Sequence, residues 1–159
     1  MSNRKAFLSI LLATPLVCVT LAGCGPSVPP NLPVTVVVKN ASGEPMNMVK
    51  VKFIPQAEGL DGTYVATGIT DDEGVCSPTV PGNSKGAGVP ACKHKVLFGE
   101  APVSSEARAA QERGDQSIAR KERKSRRHRP IPRKYIRLLS SPVEVEVSED
   151  NLEFELSLD

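Results

Sequence analysis

Residues 120–135 read RKERKSRRHRPIPRKY, a density of positive charge that could make phosphate contacts. Nucleic-acid binding would also call for aromatic rings interleaved with the cations, and only Tyr135 lies close. Cys76, Cys92 and His94 offer soft metal ligands. Cys92 and His94 are two apart on a predicted strand and share a face, but a fourth ligand would have to be the distant His128, and the paired short spacings of closed zinc sites are missing. Asp71, Asp72 and Glu73 are hard oxygen donors, yet a calcium loop needs more ligands at alternating positions, so the stretch reads as a plain turn. Nucleophilic catalysis requires a nucleophile, a base and an orienting group. With two histidines, no glycine-rich phosphate loop, no nucleophile elbow and no helical His pair, the sequence argues against an enzyme and calls for no cofactor.

The positioning elements begin only after the first residues are set aside. Arg4 and Lys5 form a basic start, and residues 6–23, AFLSILLATPLVCVTLAG, are apolar and end in small side chains, the order of an export signal. A membrane-spanning helix is the alternative, since the stretch is only slightly short for a bilayer core. Leu21, Ala22, Gly23 and Cys24 read LAGC, which resembles the lipobox of bacterial lipoproteins. The resemblance implies a signal peptide over residues 1–23 and a diacylglycerol on Cys24, whose acyl chains hold the mature protein on a membrane. Gly25, where an Asp would imply inner-membrane retention, points to the outer membrane, with the domain in the periplasm or at the cell surface. Removing Arg4 and Lys5 leaves 18 basic against 18 acidic residues. Residues 120–137 hold ten of the basic ones and a single acid, Glu122, so the rest of the chain is negative by nine.

Residues 24–33 are expected to be the lipidated Cys and a Pro-rich tether, GPSVPPNLP, with an irregular first strand as the alternative. Residues 34–159 form the domain. PVTVVVKN (33–40) and MVKVKFIP (48–55) are the first two strands; Val49, Val51 and Phe53 alternate with Lys50 and Lys52, the two-residue period of a half-buried strand. TYVATGIT (63–70) is a third, ended by DDEG, whose Asp side chains and Gly suit a turn. VCS and CKHKVLFG supply a fourth and fifth. At the end, Val143, Val145 and Val147, then Leu152, Phe154, Leu156 and Leu158, predict two antiparallel strands about a SEDN turn. Seven strands without a helical period in the core make an all-β antiparallel sandwich. Between the fifth and sixth strands, residues 104–129 favour helix but carry few apolar anchors and a Gly at 114. They predict a mobile basic insertion with transient helix.

ASGEP before VKFIP, then ATGITDDEGV, VPACKHKV and PIPRKYIRLLSSPVEVEV, in that order, resemble the carboxypeptidase regulatory-like, transthyretin-like domains of small bacterial lipoproteins. The resemblance covers the chain from about residue 33 and implies a prealbumin-like (Ig-like) sandwich without catalytic activity and with no fixed ligand. The family commonly has an aromatic after the Asp-Gly turn and Gly-x-Tyr at the fifth strand. Cys76, Cys92 and His94 stand there instead, and the two substitutions to Cys suggest a pair. With Cys18 lost in the signal and Cys24 acylated, Cys76 and Cys92 are the remaining thiols, and in an oxidising envelope they are expected to join.

A chain lipidated at Cys24 is not expected to meet nucleic acid, which leaves the basic run four alternatives: anionic lipid headgroups, lipopolysaccharide phosphates, an acidic envelope polymer, or solvent alone. The residues for such a contact are Arg120, Lys121, Arg123, Lys124, Arg126, Arg127 and Arg129. The expectation is a non-enzymatic, lipid-anchored envelope protein, a structural or binding accessory module. The alternatives are a sandwich that binds carbohydrate or another small ligand, or a metal-binding one.

Overall fold

A computed structural model describes residues 28–82, 87–126 and 131–159. Its strands are β1 (Asn31–Leu32), β2 (Thr35–Asn40), β3 (Val49–Pro55), β4 (Ala66–Ile69), β5 (Val75–Cys76), β6 (Val89–Pro90), β7 (Lys93–Glu100), β8 (Glu144–Glu146) and β9 (Glu153–Leu158), with helices α1 (Ser105–Glu112) and α2 (Ser117–Ser125) between β7 and β8. Seven strands make two sheets, β5-β2-β9 and β4-β3-β7-β8; β1 and β6 form a separate pair. The protein is an all-β sandwich. Alternation places Val36 and Val38 of β2, Val51 and Phe53 of β3, and Val96 and Phe98 of β7 in one shared core. The Phe53 and Phe154 rings, 6.3 Å apart, join the two sheets. Among the described residues, Leu32 and the buried side chains from Val34 to Leu158 make up that core.

Two expectations are corrected here. The last two strands do not form a hairpin: β8 pairs antiparallel with β7, while β9 runs parallel to β2, from Thr35↔Glu153 to Asn40↔Leu158. The sandwich is therefore not antiparallel throughout. Charge explains the choice. A hairpin about the Ser148↔Asn151 bridge would set Glu146 opposite Glu153 and Glu144 opposite Glu155, like charges face to face. In the observed arrangement Glu155 meets Lys39 at 2.6 Å and Glu144 meets Lys95 at 3.6 Å.

The Pro-rich tether is also shorter than expected, because its last residues belong to the domain. Asn31 and Leu32 pair with Pro90 and Val89, and Ala91 N–H donates to Pro30 O at 2.9 Å. Gly88 permits this approach: at φ +138° it lies so close that a Cβ would stand 2.2 Å from Leu32 O.

Register gives the sandwich two distinct ends. The chain enters at one, where β1 meets β6 beside the start of β7 and Thr35 N–H reaches Leu152 O at 2.9 Å. At the other, β7 ends at Glu100, opposite Val49, and β9 ends beside Asn40. The insertion leaves from that second end.

Candidate functional site

Over the described residues, 104–126, the insertion forms a helical hairpin of α1 and α2, where the sequence suggested only transient helix. Ser104 caps α1, its hydroxyl accepting from Ala107 N–H at 3.1 Å. Gly114, at φ +87°, ends the helix. Gly114 N–H reaches Gln111 O at 3.0 Å and Asp115 N–H reaches Ala110 O at 2.9 Å, the paired bonds of a Schellman motif. Asp115 Oδ1 then receives Ser117 N–H at 2.8 Å and opens α2. The Gly that reads as a break in one helix is thus the joint between two. Ala107, Ala110 and Ala119 are buried. Small side chains let the two helices approach with few large apolar anchors.

A four-residue clamp closes the base of the hairpin. The Glu122 carboxylate accepts from Ser104 N–H at 3.1 and 3.2 Å and from Ser104 Oγ at 2.9 Å. Arg126 Nη1 donates to Glu100 Oε2 at 2.9 Å, and Nη2 lies 3.6 Å from Glu122. Burial alone would raise the Glu122 carboxyl, but the Ser104 bonds and the Arg126 charge outweigh it and hold the group below the usual carboxylate range. Glu100 is the last residue of β7, so the clamp ties both ends of the hairpin to the sandwich.

The clamp sorts the basic residues. Arg126, with 6% of its side chain exposed, is structural and leaves the expected surface set. Arg120, Lys121, Arg123 and Lys124 are exposed, while Ala119 is buried and Glu122 half-buried on the inner side of α2. The four cations, with Gln111 and Gln116, line an open hollow of about 930 Å³. Arg127 and Arg129 lie outside the described residues, as do Leu21, Ala22, Gly23 and Cys24.

The Cys76–Cys92 disulfide is not formed; both thiols are free. Cys76 sits on β5, paired with Val36, and its Sγ would lie 3.2 Å from a Cβ at Gly68. Cys92 lies beside the other sheet, next to β7, and its Sγ stands 3.8 and 3.7 Å from Nδ1 and Nε2 of His94. β5 and β7, which read as successive strands in the sequence, lie in different sheets. Burial, then the Asp71 charge, pushes the Cys76 thiol up to about 12. Denatured without reductant, the chain from residue 25 onward is expected to take up two alkyl groups by mass spectrometry, and Cys76 is expected to resist alkylation in the native state. Uptake of none without reductant and two with it would restore the disulfide.

Cys92 and His94 do not form an activated dyad. Burial raises the thiol, against bonds from the Gln56 and Ala57 backbone, and lowers the imidazole, so both favour their neutral forms. The sulfur is nearly equidistant from both nitrogens and so off the lone-pair axis of either. His94 Nδ1 faces Cys92 O at 2.9 Å, and a carbonyl only accepts, so Nδ1 carries the proton. The ring is fully buried against Phe53, centroids 5.7 Å apart. Among the described residues no cluster of three His, Cys, Asp or Glu could hold a metal ion, and His128, the suggested further ligand, lies outside them. DDEG is a turn: Asp71 Oδ1 accepts from Glu73 and Val75 N–H at 3.1 and 2.8 Å, and Asp72 accepts from Asn47 at 3.1 Å.

Sequence reasoning missed the clamp and a second feature, the turn after Tyr135, where Ile136, Leu138 and Leu139 are exposed. Its signal was present: an apolar run flanked by Arg133, Lys134 and Arg137 inside a 21-residue stretch, 123–143, without an acid.

The fold and site together define an all-β sandwich with a clamped basic helical hairpin. No family model matches the chain, and no curated protein matches it. Among solved structures the chain is similar to the D312A form of BcpA, the major pilin subunit of Bacillus cereus, with a TM-score of 0.41 and 12% identity over 82% of this chain. The chain spans 30% of that pilin's length, and a likeness at this level carries no argument about function. Among the described residues no helix is long and apolar enough to cross a membrane.

Proposed function

We propose that the protein is a non-enzymatic accessory module of a cell envelope, held to a membrane by a lipid on Cys24, whose helical hairpin applies its cationic face to an anionic surface. The observation that carries this reading is the sorting of charge along α2. Glu122, the single acid among residues 120–137, is turned inward and bonded to Ser104, while Arg120, Lys121, Arg123 and Lys124 point to solvent. The outer face is left wholly positive. His94 is buried and Cys92 half-buried, and both favour their neutral forms, which supports a non-enzymatic role; LAGC supports the anchor.

Near an anionic bilayer each such cation contributes about 1 kcal/mol, screened by salt, so four together contribute about 4 kcal/mol at low ionic strength. That is enough to orient a domain already anchored by acyl chains. The test is co-sedimentation of residues 25–159 with phosphatidylglycerol-containing vesicles at low and high salt. Binding is expected at low salt, with loss at high salt and in the quadruple variant Arg120→Gln, Lys121→Gln, Arg123→Gln, Lys124→Gln. Absence of binding at low salt, or unchanged binding by the variant, would refute the reading.

A further inference from the structure

We infer that the turn carrying Ile136, Leu138 and Leu139 is a bilayer-inserting wedge, which places its apolar side chains among acyl chains and the neighbouring cations among anionic headgroups. Leu139 is 97% exposed, Ile136 48% and Leu138 42%. Single exposed apolar residues are ordinary; three within four positions at one turn are not. Arg133 and Arg137 are exposed beside them, and no acid lies between Glu122 and Glu144 in sequence. Apolar tips ringed by long basic side chains match the bilayer interface, where the tips enter the hydrocarbon boundary and the cations extend to phosphate. That charge pattern selects an anionic membrane over an apolar protein groove, which would leave the cations unmatched.

The turn is held in place before any partner arrives. Tyr135 is buried edge-on against Phe98 of β7, ring centroids 5.8 Å apart, and its hydroxyl bonds Asp159. On the far side Ser141 Oγ donates to Val96 O at 2.6 Å, and Ser141 N–H reaches Arg137 O at 2.9 Å. Ser140 Oγ closes the base on Lys134 O at 2.9 Å. Both flanks are therefore fixed to β7 while the leucines project, and little ordering remains to be lost on insertion. Arg126 reaches Glu100 two residues beyond Phe98 on the same strand, so hairpin and turn leave the same end of the sandwich.

The inference adds to the anionic-surface reading but is separable from it, because insertion is apolar and resists salt. The chain has no Trp, so Leu139→Trp in residues 25–159 supplies a single reporter at an exposed site. With vesicles of phosphatidylglycerol and phosphatidylethanolamine, a blue-shifted emission that is quenched by brominated acyl chains is the expected result. Leu138→Ser/Leu139→Ser should weaken vesicle binding by about tenfold or more, since each leucine taken out of water is worth roughly that factor. Circular dichroism should be unchanged. Binding with an unshifted, unquenched Trp would overturn the wedge and leave the hairpin reading standing. A shift that persists in the quadruple hairpin variant would support the wedge without that reading. If the double Ser variant instead changes the oligomeric state and not vesicle binding, the turn meets a second copy of the chain and the wedge is wrong.

Discussion

Arg126→Ala is expected to unfold the helical hairpin and leave the sandwich intact. The substitution removes the 2.9 Å bond to Glu100 and strips Glu122 of its countercharge. A charge-assisted bond of this kind contributes about 2 kcal/mol, which shifts opening about thirtyfold. Helices of eight and nine residues are marginal in isolation, so that shift is decisive locally. Trypsin should then cut among Arg120, Lys121, Arg123 and Lys124 far faster than in the parent, with the β-sheet signal retained. Equal cleavage of the two proteins would show that the clamp holds nothing. Acid should act at the same place. The Glu122 carboxyl is lowered in the folded state, so its contribution is full above the ordinary carboxylate value and is lost as pH falls through the lowered one. Far-UV helicity should drop in that acidic window before the sheets unfold.

Phe53→Ala is expected to destabilise the whole domain by about 3–5 kcal/mol. Phe53 is fully buried at the middle of the fold, in contact with His94 on β7 and with Phe154 of the facing sheet. Its removal opens a cavity where the two sheets meet, and β-structure cannot collapse to fill it without losing register. Against a typical total of about 5–15 kcal/mol, the loss should lower the urea midpoint by a large fraction with little change in slope. A shift below about 1 kcal/mol would mean that the sheets do not pack as described.

The strand positions were legible because period-two alternation survives in any half-buried strand. Val49, Val51 and Phe53, and Val143, Val145 and Val147, were enough for that. Alternation is silent on partners, which is why β8 and β9 read as a hairpin; the glutamates that such a hairpin would oppose were the overlooked signal. The insertion was misread for a related reason. Alanines that bury a helix seam look like solvated helix formers, and Gly114 looks like a break until its bond to Gln111 O, with that of Asp115 to Ala110 O, makes it a joint. The two cysteines read as a pair because sequence neighbours were taken for spatial ones, whereas β5 and β7 lie in different sheets. At the site, the run of cations was plain in sequence. Which of them faces solvent depends on the partners of Glu122 and Arg126, and those lie about twenty residues away at Ser104 and Glu100.

The position of the chain's entry also limits how the domain can meet a surface. Seven residue-to-residue steps lead from Cys24 to Asn31, a reach of at most about 25 Å. The eight residues of β7 span about 27 Å, from the entry end to the hairpin end. With a lipid on Cys24 as proposed, a sandwich lying along the membrane brings both of its ends within that reach.

The cationic face exists only if residues 104–126 are a folded, clamped hairpin, and amide hydrogen exchange across that segment reads this out. Amides of α1 from Ala109 to Glu112 and of α2 from Lys121 to Lys124 should exchange at least about tenfold more slowly than unstructured peptide. They should return to unstructured rates in Arg126→Ala, while β3 and β7 remain protected. Unstructured rates across the segment in the parent protein would mean that the hairpin is not formed and that no cationic face is presented.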